Sequence, residues 1–280
     1  MKPWLRWTLW AGAGLVGLFV LVLLVMVIYV NATWDKPSDR RVPAMLASTD
    51  TKSIMRGEYL FKNTLLCWEC HSASLDANAP PIGGREFDLR NIGPGFGMFY
   101  APNITPDEET GIGSWSDGEI VRALREGIRK DGTTLFPLMP IEAFKGLSDE
   151  DVLALVAFMK SIPPVRNPVR RAEMSFMAKV LFAFGAIGPE TQIDEPIETP
   201  PRSDRVAWGR YLANNASTCM DCHTPRNLQD GSFYRDSVFA GSSVAFGEAD
   251  VDPHSIAYAR NITFDKETGI GNWTDEEFFQ

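Results

Sequence analysis

The stretch Cys67-Trp68-Glu69-Cys70-His71 decides the fold, and it returns as Cys219-Met220-Asp221-Cys222-His223. Together the two motifs use every cysteine and two of the three histidines. C-x-x-C-H is the attachment signature of c-type haem. Two cysteines three apart on a helical turn can each form a thioether with a vinyl group of one porphyrin. The next residue then projects onto the iron, where an imidazole is a good axial ligand. A single Cys₄ zinc site would have to join two distant motifs and would leave both histidines without a purpose. A thioredoxin-like pair needs a βαβ context and no histidine. The motifs therefore predict two covalently bound haem c groups. One is held by Cys67 and Cys70 with His71 on the iron, the other by Cys219 and Cys222 with His223 on the iron.

The chain repeats itself around these motifs. Gly57-Glu58-Tyr59-Leu60 precedes Cys67 by the same ten residues that separate Gly209-Arg210-Tyr211-Leu212 from Cys219. Downstream, Tyr100-Ala101-Pro102-Asn103-Ile104-Thr105 matches Tyr258-Ala259-Arg260-Asn261-Ile262-Thr263. Glu109-Thr110-Gly111-Ile112-Gly113-Ser114-Trp115 matches Glu267-Thr268-Gly269-Ile270-Gly271-Asn272-Trp273. Two copies of one domain are expected, at 45–165 and 203–280. Each reads as helices separated by irregular loops. Ser53–Leu66 should be a helix leading into the first motif. Ser116 and Glu119 form a capping box, with Ile120, Leu124 and Ile128 facing inward. Ser148 and Asp151 start another helix, with Val152, Leu155, Val156 and Met159 inward, and Pro163-Pro164 stops it. Thr274 and Glu277 repeat the capping box.

The sixth iron ligand of the first copy is assigned to Met139, in Phe136-Pro137-Leu138-Met139-Pro140. Flanking prolines fix the backbone and can hold a thioether on the metal. Its rivals are Met98, in a Gly-rich loop, and Met159, on a helix face that should pack inward. The counterpart of Met139 in the second copy falls past Gln280, so that copy reads as truncated. His254 is the spare imidazole there, and a structural or haem-edge role is expected for it.

Leu9–Val30 carries no charge. At about 1.5 Å per residue it reaches roughly 33 Å, enough for a hydrocarbon core of about 30 Å. A cleaved signal has a shorter apolar core and a small-x-small site, which Val30-Asn31-Ala32-Thr33-Trp34 does not offer. Residues 1–34 are thus expected to be a cytoplasmic stub and a transmembrane anchor. Lys2 and Arg6 place the N-terminus in the cytoplasm and the remainder on the outer side of a bacterial inner membrane. Between the copies, 166–202 should hold a helix at Ala172–Gly185, too short to span a membrane and packed between the domains, the alternative being a docking surface for a partner or the bilayer; a Pro-rich extended linker should follow from Ile193 to Arg202. Asp107/Glu109 and Asp265/Glu267 lack EF-hand spacing and read as solvated turns. A net charge of −9 and a pI near 4.9 argue against a nucleic-acid partner.

The segment Asn103–Trp115, then Met139-Pro140 and Leu147-Ser148-Asp149-Glu150-Asp151, resembles the cytochrome c subunit of membrane-bound bacterial dehydrogenases, the alcohol dehydrogenase subunit being the familiar case. The resemblance covers about residues 50–280. It implies Met/His ligation and a haem crevice lined by Asn103, Trp115, Asn261 and Trp273. It also implies passage of electrons from a periplasmic dehydrogenase towards quinone, an oxidase or a soluble cytochrome. That subunit usually carries three haem motifs, and this chain has two. The expected architecture is all-α, with tandem class I cytochrome c domains behind one membrane helix. The expected role is electron transfer, with catalysis left to a partner. The competing roles are a dihaem enzyme of the peroxidase or thiosulfate dehydrogenase type, and a membrane anchor for a soluble dehydrogenase.

Overall fold

The computed structural model describes residues 2–74, 76–227, 232–242 and 257–280. His254 lies outside them. The first element, α1, runs Pro3–Thr33, longer at both ends than the uncharged stretch requires. It is long and apolar enough to cross a membrane, and Val30 is its one buried residue.

Helix α2 spans Thr51–Tyr59 and is capped by Asp50, whose side chain accepts from Ser53 N. It continues as a wide π turn over Leu60–Thr64, closed by Leu65 N donating to Leu60 O at 2.9 Å. The turn delivers the chain to α3, Cys67–His71. Helix α4, Asp117–Glu126, starts on the expected capping box of Ser116 and Glu119. A short α5 covers Ile141–Phe144. Helix α6, Asp149–Ser161, is capped by Ser148 and buries Val152, Leu155, Val156 and Met159 as its spacing predicts.

The main packing event is α2 on α6. A Cβ on Gly57 would lie 1.9 Å from Ala154 O and 2.8 Å from Phe158 Cβ, so only glycine admits this crossing. Phe61 and Phe158 meet beside it with ring centroids 5.2 Å apart, an arrangement that adds about 0.5–1.5 kcal/mol beyond burial. Arg56 straddles Asp151 with two bonds of 2.7 and 2.8 Å. The matching Gly209 has nothing within 4 Å of a Cβ. Gly57→Ala should therefore cost about 1–3 kcal/mol or more, whereas Gly209→Ala should be neutral or slightly stabilising, since alanine favours a helix by about 1 kcal/mol. Denaturant midpoints of the two variants check this; equal shifts would contradict it.

The all-α expectation needs correction. Three short strands form an antiparallel sheet in the order β1 (Glu86–Asp88), β2 (Gly97–Tyr100) and β3 (Glu173–Met174). Phe87 pairs with Phe99, and Met98 with Asp88 and Glu173. The supposed Gly-rich loop around Met98 is thus a strand. Its aromatic residues suit a pleated surface, and Gly97 and Phe99 point inward in alternation. Phe96, Phe99, Ala178 and Ile187 form a second, smaller core under this sheet.

The interdomain helix also differs from expectation. It shortens to α7, Phe176–Ala183, and packs on α1 and the sheet cluster. The linker after it lies along the start of α6, where Asp149 N donates to Ile197 O at 2.8 Å and Thr199 to Ser148 Oγ at 2.7 Å.

The second copy begins with α8, Arg205–Tyr211, followed by another π turn, Leu212–Ala216, and by α9, Cys219–His223. Helix α10, Asp275–Phe279, rests on the repeated capping box of Thr274 and Glu277. The second copy leans on the first through buried groups. Tyr211 donates to Asp151 Oδ2 at 2.7 Å and accepts from Ser148 N at 3.1 Å, while Asn215 donates to Ala143 O at 3.0 Å. Tyr211, Ala216, Met220 and Phe233 share one apolar core with Leu60, Phe61, Leu155 and Val156.

Candidate haem-attachment sites

Each C-x-x-C-H motif occupies one short helical turn. Leu66, in the left-handed region at φ 51° and ψ 38°, turns the chain sharply into Cys67. Cys67 and Cys70 sit one turn apart, and His71 closes the turn, as Cys219, Cys222 and His223 do in α9. No disulfide joins any of the four cysteines. Burial pushes the Cys67 thiol up to about 12 and raises Cys70 and Cys222 as well. Beyond burial, Asp221 contributes to the rise at Cys70, and Glu69 to that at Cys222. Cys67 and Trp68 of the first turn and Met220 of the second pack on one apolar core, so the two turns share it. Among the described residues, no group of three or more His, Cys, Asp or Glu side chains is gathered as a zinc site needs.

The histidines are aimed by backbone. His71 Nδ1 lies 2.8 Å from Pro102 O, and His223 Nδ1 lies 2.8 Å from Arg260 O. A carbonyl only accepts, so Nδ1 carries the proton in each ring. In that tautomer of the neutral ring Nε2 keeps its lone pair, the form an iron ligand requires. Burial lowers the proton affinity of His71 and keeps that ring neutral.

The carbonyls are held by a loop that is built twice. Asn103 donates to Thr110 Oγ1 at 3.0 Å and accepts from Thr105 N and Oγ1, both at 2.9 Å. Asn261 donates to Thr268 Oγ1 at 2.8 Å and accepts from Thr263 N at 2.8 Å and Thr263 Oγ1 at 2.7 Å. Asp107 and Asp265 close the following turn by accepting from Thr110 and Thr268. These hydroxyl and amide bonds hold the Asp107 carboxyl below the ordinary range, and the Asp265 carboxyl likewise. Gly83 N donates to His71 O and Gly241 N to His223 O, each at 2.7 Å. Both glycines have positive φ, and a Cβ on Gly83 would meet Ala101 O at 2.4 Å.

The amide of Asn261 thus serves its own loop, while that of Asn103 also donates to Val165 O at 2.8 Å; each stands next to the carbonyl that orients its histidine. Trp115 is half-buried against the main core, and Lys160 donates to its carbonyl at 3.0 Å. Trp273 is exposed. Met139 is half-buried against the core that Cys67, Trp68, Ile104 and Trp115 also touch. Its loop is tight, with Leu138 N on Phe136 O and Ile141 N on Met139 O, both at 2.7 Å. Phe136 anchors the loop by stacking on Phe99 at 4.3 Å and Phe96 at 5.2 Å. Met159 is buried inside α6, and Met98 is tied into the sheet.

Sequence reasoning missed the carbonyls of Pro102 and Arg260. A signal did exist. Between the two copies Asn-Ile-Thr is identical where side chains hold the loop, and Pro102 and Arg260 differ where only backbone is used.

Residues 54–163 match the family model described as cytochrome c. The chain is 32% identical over 237 residues to the cytochrome c subunit of the quinone alcohol dehydrogenase of Gluconobacter oxydans, an alignment spanning 81% of this chain and 46% of the relative. It is 32% identical to the fructose dehydrogenase cytochrome subunit of Gluconobacter japonicus, covering 84% of this chain and 45% of that one. A diheme cytochrome c-type protein of Cereibacter sphaeroides is 29% identical, over 73% of this chain and 68% of its own length. The chain spans about half the length of the two dehydrogenase subunits.

Proposed function

From the premise that residues 54–163 are a cytochrome c domain, we propose that the chain is a membrane-anchored dihaem electron carrier. Its two domains stand on the outer side of a bacterial inner membrane, between a periplasmic dehydrogenase and the respiratory chain. The observation that carries this reading is the repeated geometry of a C-x-x-C-H turn with the histidine Nδ1 on a loop carbonyl. Bound haem c supplies a one-electron Fe(III)/Fe(II) couple.

The chain's own residues do the rest. Cys67, Cys70, Cys219 and Cys222 would fix two such groups covalently through thioethers. Pro102 and Arg260 hold the His71 and His223 rings through Nδ1, so that Nε2 would be the atom available to bind iron. Met139 would supply a thioether to the first iron, a ligand that raises the potential. Trp115 and the core around Leu155 keep water from the first group, and Asn103 and Asn261 keep the loops rigid. The adjacency of α3 and α9 supports passage of electrons between the two groups within one chain. The donor side is best matched by a dehydrogenase, by similarity to the subunits named above, and quinone, an oxidase or a soluble cytochrome would accept.

The test uses full-length protein in mild detergent. Both haems should be reduced by a membrane dehydrogenase with its substrate and reoxidised by quinone, an oxidase or a soluble cytochrome, without sustained consumption of peroxide. Peroxide turnover at a steady rate would overturn the carrier role in favour of a dihaem enzyme.

A further inference from the structure

Helix α7 has one apolar stripe too many for a helix that serves only the domain. Ala178, Leu181 and Phe182 pack on the core beneath the sheet. The adjoining stripe, Met177, Val180 and Phe184 with Phe176 at its far edge, follows the three- and four-residue spacing of one helix face. On it Phe176 is 40% exposed, Met177 45% and Phe184 62%. At eight residues α7 is about 12 Å long, far too short to span a bilayer.

Its position gives the stripe a neighbour. The Phe184 ring lies 5.6 Å from the Tyr29 ring, and the Lys179 ammonium lies 5.1 Å from the centre of the Trp34 ring. Tyr29 is four residues before the end of α1 at Thr33, about 6 Å down the helix axis. Val30, beside Tyr29, is the one residue of α1 that is buried. Helix α7 therefore meets α1 at the last turn of the apolar span, where Tyr and Trp mark a membrane–water interface. Interfacial helices bury their apolar face about 5–10 Å into the headgroup boundary, which matches this level. The chain leaving α1 is also tied to the first domain, through Ser38 N on Gly132 O at 2.8 Å.

We propose that α7 lies in the headgroup layer of the membrane that α1 crosses, with Phe176, Met177 and Phe184 against lipid. This rests on the membrane-anchored reading above. The stripe is continuous with the surface of α1, so the medium that covers one covers the other. The first domain is then held to the bilayer at two points, α1 and α7, and its sheet faces the membrane.

The experiment is spin-label accessibility on the full chain in lipid nanodiscs. All four native cysteines lie in the haem motifs, so Met177→Cys and Phe184→Cys each add one free thiol. Leu21→Cys, in mid-span, reports on the anchor, and Lys52→Cys, on the exposed start of α2, reports water. Labels at 177 and 184 should favour oxygen over a water-soluble nickel chelate several-fold more than the label at 52 does. If 21 reads as lipid while 177 and 184 match 52, the inference falls and the anchor stands. If 21 itself reads as water, the anchor reading falls and takes the inference with it. If 177 and 184 are shielded from both reagents, protein covers the stripe and the lipid assignment is wrong.

Discussion

Replacing Cys67 and Cys70 together by alanine should halve the haem that remains on the chain after denaturing electrophoresis. Thioether bonds survive denaturation, whereas coordination by histidine does not. One motif is removed and Cys219 and Cys222 are left to hold the other group. The reciprocal pair, Cys219→Ala with Cys222→Ala, should also leave half, and all four changes none. The two half-loaded proteins should differ in stability. Cys67 and Trp68 touch the core that also contains Tyr211, Ala216 and Met220 of the second copy. Emptying the first site therefore loosens packing in both copies. In the second copy Trp273, Phe278 and Phe279 are exposed, so less packing depends on its site and emptying it should cost less. Limited proteolysis should cut the Cys67/Cys70 variant across both copies, and the other chiefly after residue 203. Zinc in place of haem in the unaltered protein would end the haem reading.

Met139→Ala should lower the potential of the first haem by a sizeable part of the roughly 0.8 V range that axial ligands command. It should also abolish the sulfur-to-iron charge-transfer band. The turn around Met139 is stiffened by Pro137 and Pro140 and pinned by Phe136 against Phe96 and Phe99, so no neighbouring side chain can slide into its place. The other methionines supply the controls. Met159→Ala empties a buried position in α6 and should destabilise the fold by about 2–5 kcal/mol while leaving the band. Met98→Ala should change neither greatly, because β2 pairs through its backbone. A band that survives Met139→Ala would show that another group ligates the iron.

The sequence was most legible where structure is local. Ser116 with Glu119, Ser148 with Asp151, and Thr274 with Glu277 cap helices through contacts three residues apart, and all three caps form. The buried face of α6 follows from period alone. The sheet was not legible, because β3 at Glu173 pairs with Met98 far away in the chain and two residues carry little pattern. The sequence leaves the surface that covers α7 open between a domain, a partner and the bilayer for a similar reason. The helix's apolar spacing announces a buried face but not which surface buries it. At the sites, Cys67, Cys70, His71 and their second-copy counterparts were readable as residue types, while the carbonyls that aim the histidines belong to backbone and leave only an indirect trace.

The π turns at Leu60–Thr64 and Leu212–Ala216 have a historical consequence. A turn closed from residue i to i+5 encloses one residue more than an ordinary helical turn, so it is what a single inserted residue leaves behind in a helix. Both copies carry it at the same distance from their glycine and from their first cysteine. Two separate insertions at the same spot would be a coincidence. A domain that already held the extra residue when its gene segment was copied explains both at once, and differences between the copies such as Pro102 against Arg260 are then younger than the wide turn.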